Sequence, residues 1–304
     1  MPQQASLLVA LAFLVLSFPS SSLAADRPKN TSICDYYTTA LLKENNATTQ
    51  LTLLTLVVNT AVIGNYTMPN VGIAVPGILA PGKFNDMDVD LLQYFNGSLA
   101  SANRDDSGVK VNFLDDGGAE PLKKNLPANS KDSRQYRLLT HLYSFFGSLL
   151  GCSKVGMDGF VGYRESGGDA SMFEVHKFMM LDPAEVGYFI QQVGLSAASF
   201  GVTDADVQAV GKALTDAFGY KCSPAVEIIP SQGKALQAIC IDDACPLAEN
   251  ADCKLYGVAN STSGREFDDN EREGRTDGDG DGRARDECEW ECDGGCGGGG
   301  GREG

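Results

Sequence analysis

The chain of 304 residues uses histidine only twice, at His141 and His176. His176 lies in SMFEVHKFMML, residues 171–181, among Met172, Val175, Phe178 and two further methionines. An imidazole is a poor hydrophobe, and its ring nitrogens need partners once they leave water. It sits there either as a packed side chain bonded to backbone or water, or as a ligand. Cysteine is the other group able to do chemistry. Cys34, Cys152, Cys222, Cys240, Cys245 and Cys253 lie in the body of the chain. An even number in an oxidising compartment reads as up to three disulfides, with the pairing left open. Cys240 and Cys245 have no second such pair and no histidine nearby, which is poor spacing for zinc.

The elements that carry the histidines read as helices. Leu138, Leu142, Phe145, Phe146 and Leu149 recur on one helical face, and Gly151 closes it. His141 falls at the border of that stripe, at about 100° per residue. Beyond His176, Asp182-Pro183-Ala184-Glu185 combines an N-cap, a proline at the first helical position and a capping-box glutamate. Val186, Phe189, Ile190, Val193, Ala197 and Phe200 keep a helical period until Gly201. Thr203 then caps another helix, with Val207, Val210, Leu214 and Phe218 on one side. Both imidazoles therefore lie on or beside apolar helical faces, and a helix–loop–helix lets those faces meet. Two imidazoles opposed across an apolar cleft suit axial ligation of a haem iron, since neutral imidazole binds the metal while apolar walls bury the macrocycle. Periodicity alone does not identify a cofactor, because ordinary packed histidines show the same pattern.

The order of short motifs adds to this. Phe145-Phe146-Gly147-Ser148-Leu149-Leu150-Gly151, then Met172-Phe173-Glu174-Val175-His176, then Leu181-Asp182-Pro183 and finally Ala197 through Asp206 (AASFGVTDAD) follow one another along residues 138–218. That series resembles the second half of a truncated haemoglobin, the short two-over-two globin family, and from His176 to Val207 the alignment needs no gap. The resemblance implies a mainly α fold, with a globin-like helical core around haem b. It makes His176 the proximal iron ligand and puts Met172, Val186 and Phe189 on the proximal and inner haem faces. Leu138 and Leu142 match distal positions that face a bound ligand, and Phe145 with Phe146 match the aromatic wall. His141 matches a distal position that in some members supplies a second axial histidine; the alternative is a solvent-facing or propionate-contacting side chain. The first helices align only loosely, so the family's distal tyrosine falls at Asn59 or a neighbour.

The remainder departs from that family. Residues 7–18 (LLVALAFLVLSF) followed by Ser22-Leu23-Ala24 read as a signal peptide over residues 1–24, which implies a secreted, extracellular protein. No later run has the length and apolarity of a membrane span. Asn30, Asn46, Asn65, Asn96 and Asn260 head N-glycosylation sequons. The domain should run over residues 32–256. Within it, residues 35–64 read as helical, with a strand left open by the β-branched run. Residues 65–132, rich in Pro, Gly, Asn and Asp, read as a long loop-rich insertion with one short strand near residues 109–114. Residues 153–170 form a loop longer than the family's, and residues 221–256 a Cys- and Pro-containing strap. Residues 264–304 hold 14 acids against 6 arginines, half of the net charge of −16, and read as a disordered tail. Its DGDGDG starts like a calcium loop, but Cys288 stands where the bidentate glutamate belongs. The acidic balance argues against nucleic acid as a partner.

The expected function is a secreted haem-binding protein that takes O2, NO or CO, or passes electrons. Leu138 and Leu142 offer no hydrogen bond to a diatomic ligand, so a donor has to come from Asn59, Thr60 or His141. Peroxide cleavage usually wants a distal acid–base group, and only His141 could act that way; NO-dioxygenase or peroxidase-like turnover is left open. The rival from another class is a disulfide-stapled secreted glycoprotein without a cofactor, structural or adhesive. A hydrolase is weaker, because no G-x-S-x-G occurs.

Overall fold

The computed structural model describes residues 27–68 and 70–257. The segment read as a signal peptide, the Asn260 sequon and the acidic run with its calcium-like loop lie outside them. Helices dominate: α1 Ile33–Leu42, α2 Ala47–Ile63, the short α3 Leu92–Phe95 and α4 Ala119–Leu122, α5 Arg134–Leu149, the short α6 Met172–His176, α7 Pro183–Ser199 and α8 Asp204–Phe218. Three two-stranded antiparallel hairpins accompany them: β1 Gly82–Phe84 with β2 Met87–Val89, β3 Asn96–Arg104 with β4 Ser107–Asn112, and β5 Val226–Glu227 with β6 Lys234–Ala235. Among the described residues no single helix is long and apolar enough to cross a membrane.

The β-branched run of residues 51–58 is helical. Asn46 opens α2 with a reciprocal capping box to Thr49, and the helix buries residues around its whole circumference. It is the central helix, packed against α1, α5 and α7, while α7 packs on α8. The Asp182-Pro183-Ala184-Glu185 signal holds in full. Asp182 Oδ1 accepts from the Ala184 and Glu185 N–H groups at 2.8 Å, and the Asp182 N–H donates to Glu185 Oε2 at 3.0 Å. Thr203 caps α8 as read. In α5 the apolar stripe is one of two buried faces. Leu139, Tyr143 and Phe146 are buried, and α5 packs on α2, while Leu138 and Leu142 are half-buried. Gly147 lets Phe160 lie against the helix; a Cβ there would sit 2.7 Å from the Phe160 ring.

Residues 65–132 are not a loose loop. Ile78, Val89, Leu91, Tyr94 and Leu122 belong to the main hydrophobic core. The segment folds into two hairpins whose two-residue turns, Asn85-Asp86 and Asp105-Asp106, have positive φ at both positions. That backbone matches strand twist, and Asn and Asp tolerate it best after glycine.

The six body cysteines pair as Cys34–Cys152, Cys222–Cys253 and Cys240–Cys245. The first ties α1 to the end of α5, and the second closes the strap on itself. The sequon residues Asn30, Asn46, Asn65 and Asn96 are all exposed.

Candidate functional site

α5, α6 and α7 converge with the insertion and the strap around a cavity of about 210 Å³. All nine residues singled out in the sequence line it: Leu138, His141, Leu142, Phe145 and Phe146 from α5, Met172 and His176 from α6, Val186 and Phe189 from α7. The loop of residues 153–170 joins α5 to α6, and the Asp182 cap opens α7 six residues after His176.

His176 reaches the wall through a five-residue helix that Ser171 opens, its Oγ accepting from the Glu174 N–H. Nδ1 of His176 lies 2.7 Å from the Met172 carbonyl oxygen, one turn back. A carbonyl only accepts, so Nδ1 carries the proton and the neutral ring keeps its lone pair on Nε2. Burial pushes the His176 pKa below the ordinary imidazole value, against that hydrogen bond, and so favours the neutral ring.

His141 is held differently. Its Nε2 lies 2.6 Å from the Ser166 carbonyl oxygen, so Nε2 is the protonated nitrogen and is committed to the 153–170 loop. The ring meets Tyr163 edge-on at 5.9 Å, and Tyr163 meets Phe145 the same way at 5.5 Å. Burial again lowers the pKa first, and Arg137 adds to that, against the bond to Ser166.

Sequence reading missed the polar corner of the cavity. Tyr94 from α3 donates its O–H to Glu185 Oε1 at 3.0 Å, while Oε2 of the same carboxyl caps α7. Glu185 was legible only as a cap, and Tyr94 carried no signal because it comes from the insertion. Burial raises the Glu185 pKa above the usual carboxylate value, against the hydrogen bonds from the Asp182 N–H and the Tyr94 O–H, which lower it. Tyr163, Val175, Met179 and Leu181 complete much of the wall.

Asn59 and Thr60 do not line this cavity. Asn59 is fully buried, accepts from the Tyr143 O–H at 2.6 Å and donates to the Leu122 carbonyl at 3.1 Å. A buried amide needs both kinds of partner, and Asn59 finds them on α5 and α4. Neither residue is a donor to a ligand here. A second cavity of about 60 Å³ shares Ile78, Leu142, Phe146 and Phe189 with the first and is otherwise lined almost entirely by apolar groups of α1, α2, α7 and α8.

The lining includes the kind of donor a haem iron takes. Among the described residues no cluster of three or more His, Cys, Asp or Glu could hold a bare metal ion. A haem iron is already held by its macrocycle and asks the protein for one or two axial ligands and an apolar slot, and the wall supplies His176 Nε2 and aliphatic and aromatic faces. No lysine or arginine lines the cavity, so its walls would offer no cation to the carboxylates of a haem. Against protein-family models, curated proteins and solved structures the chain matches none.

Proposed function

We propose that this protein is a secreted, globin-like haem binder of the truncated two-over-two kind, taking O2, NO or CO or passing electrons. The observation that carries the reading is His176, whose Nδ1 bond to the Met172 carbonyl leaves Nε2 as an unprotonated donor in the wall of an apolar cavity. Haem supplies the iron centre for diatomic binding or electron transfer. The chain's own residues do the rest. His176 offers a neutral nitrogen in a fixed tautomer, as histidine ligands generally need a second-shell acceptor to do. Leu138, Leu142, Phe145, Phe146, Val186 and Phe189 exclude water from the pocket, and Met172 packs beside the ligand. The small apolar cavity next to it suits a diatomic molecule and offers water no partners. The six paired cysteines and exposed sequons support export.

The test is expression of residues 26–262 with haemin supplied, followed by an absorption spectrum. A Soret band that is lost in His176→Ala is the expected result. No Soret band in the parent protein would remove the haem reading and leave the cofactor-free glycoprotein.

A further inference from the structure

α6 is too short to hold itself. An isolated helix of five residues has almost no stability in water, yet α6 must fix an imidazole to a fraction of an ångström. Its support comes from two segments outside the globin-like run. On one side the strap's Leu236 carbonyl accepts from the Phe173 N–H at 3.2 Å and from Ser171 Oγ at 2.8 Å, and Phe173 packs edge-on against Tyr256 at 4.5 Å. On the other side lies the β3–β4 hairpin of the insertion. Asn103 Nδ2 donates to the Glu174 carbonyl at 2.9 Å. Lys177 pairs with Asp106 at the hairpin turn and with Glu174 at 2.8 Å. Gly108 admits Phe178, where a Cβ would meet the Phe178 side chain at 2.9 Å.

These contacts are not equal. The Lys177 pairs join exposed carboxylates and are screened by water. Asn103 is different. α6 ends at His176, so Glu174 has one of the helix's terminal carbonyls, which lack a donor from the next turn. Asn103 supplies that donor from another element, two residues before the imidazole. Its Oδ1 is buried without a protein partner, so the bond to Glu174 is the side chain's one hydrogen bond to another element.

We infer that the insertion hairpin sets the position of His176, with Asn103 as the positioning residue that closes the end of α6. The inference rests on the proposed role of His176 and supplies a use for the hairpin. Haem-free protein reads the brace directly. In Asn103→Leu, the amides of residues 175–177 should exchange about tenfold faster, as expected for the loss of roughly 1.4 kcal/mol of hydrogen bonding, with the α5 and α8 amides unchanged. In the haemin-loaded ferrous protein the iron–histidine stretching frequency should shift, which a general loss of stability would not produce. Should Asn103→Leu fail to fold, Asn103→Asp has the same size and removes the same donor at neutral pH. Unchanged exchange at residues 175–177 in a folded variant overturns the brace. Faster exchange there with no Soret band in the parent protein would keep the brace and remove haem.

Discussion

His176 is bonded to its own helix one turn back, whereas His141 is bonded to a loop carbonyl 25 residues further along the chain. The first bond survives wherever a single turn of α6 survives. The second exists only while residues 162–168 keep their turns, in which the Ser166 N–H donates to the Gly162 carbonyl and Ser166 Oγ to the Tyr163 carbonyl. One imidazole therefore presents Nε2 as a standing property of local structure. The other presents Nε2 only if a loop lets go. The walls differ in the opposite sense: α5 is a long helix pinned covalently just past its end through Cys152, while α6 is one turn and depends on neighbours for support.

The largest effect that separates the two walls is removal of the Cys34–Cys152 bond, which spans 118 residues. Replacing both cysteines by alanine should cost about 5 kcal/mol on the chain-entropy account, read as a lower urea midpoint. Amides at the end of α5 should lose protection most. The amides of α6 should change only with global stability. Loss of protection centred on α6 instead would show that the two walls are not independently supported.

Much of this was legible. Asp182-Pro183-Ala184-Glu185 specified the start of α7 because a cap, a proline and a glutamate act within four residues, where sequence is structure. The stripe Leu138, Leu142, Phe145 and Phe146 was right as a face, but it faces a cavity, and the second buried face through Leu139 and Tyr143 was missed. Two-sided burial blurs a helical period. The insertion was read as loop because its hairpin turns are Asn-Asp and Asp-Asp, without the glycine that marks such turns most strongly, and its longest strand, NGSLASANR, holds few β-branched or aromatic residues. Tyr94 and Asn103 could not be found in this way, since each acts on a helix more than 70 residues away. Asn59 had suggested a ligand donor by position, but the nearby Tyr143 hydroxyl and Leu122 carbonyl hold its amide.

Acid should act on both walls in the same direction. Burial holds both imidazoles below their unfolded pKa, near 6.5, so as pH falls the unfolded chain takes up protons first. The stabilising contribution is fully present above about pH 6.5 and is lost as pH falls through the folded values. Glu185 has the opposite sign, because its raised pKa makes its contribution shrink as pH rises from the carboxylate range. Comparison with single variants cancels that background. The drop in urea midpoint between pH 7.5 and 5.5 should be smaller in His176→Gln and in His141→Gln than in the parent. A drop of parental size in either variant would mean that its imidazole is solvated in the folded protein.

The smallest effect bears most directly on the sixth coordination position. With Nε2 of His141 protonated and donating to Ser166, His141 has no lone pair on that nitrogen to offer across the cavity. His141→Ala should therefore leave the ferrous spectrum of haemin-loaded, reduced protein five-coordinate, as in the parent, and should cost only about 1 kcal/mol for one hydrogen bond. A parent spectrum that is six-coordinate and becomes five-coordinate in His141→Ala would mean that the loop has released His141. The contrast between a standing ligand and a conditional one would then fall, and bis-histidine ligation would take its place. If the spectrum does not change, His141 is a latch between α5 and the 153–170 loop, and the open face of the pocket is bounded by Leu138, Leu142 and Phe145.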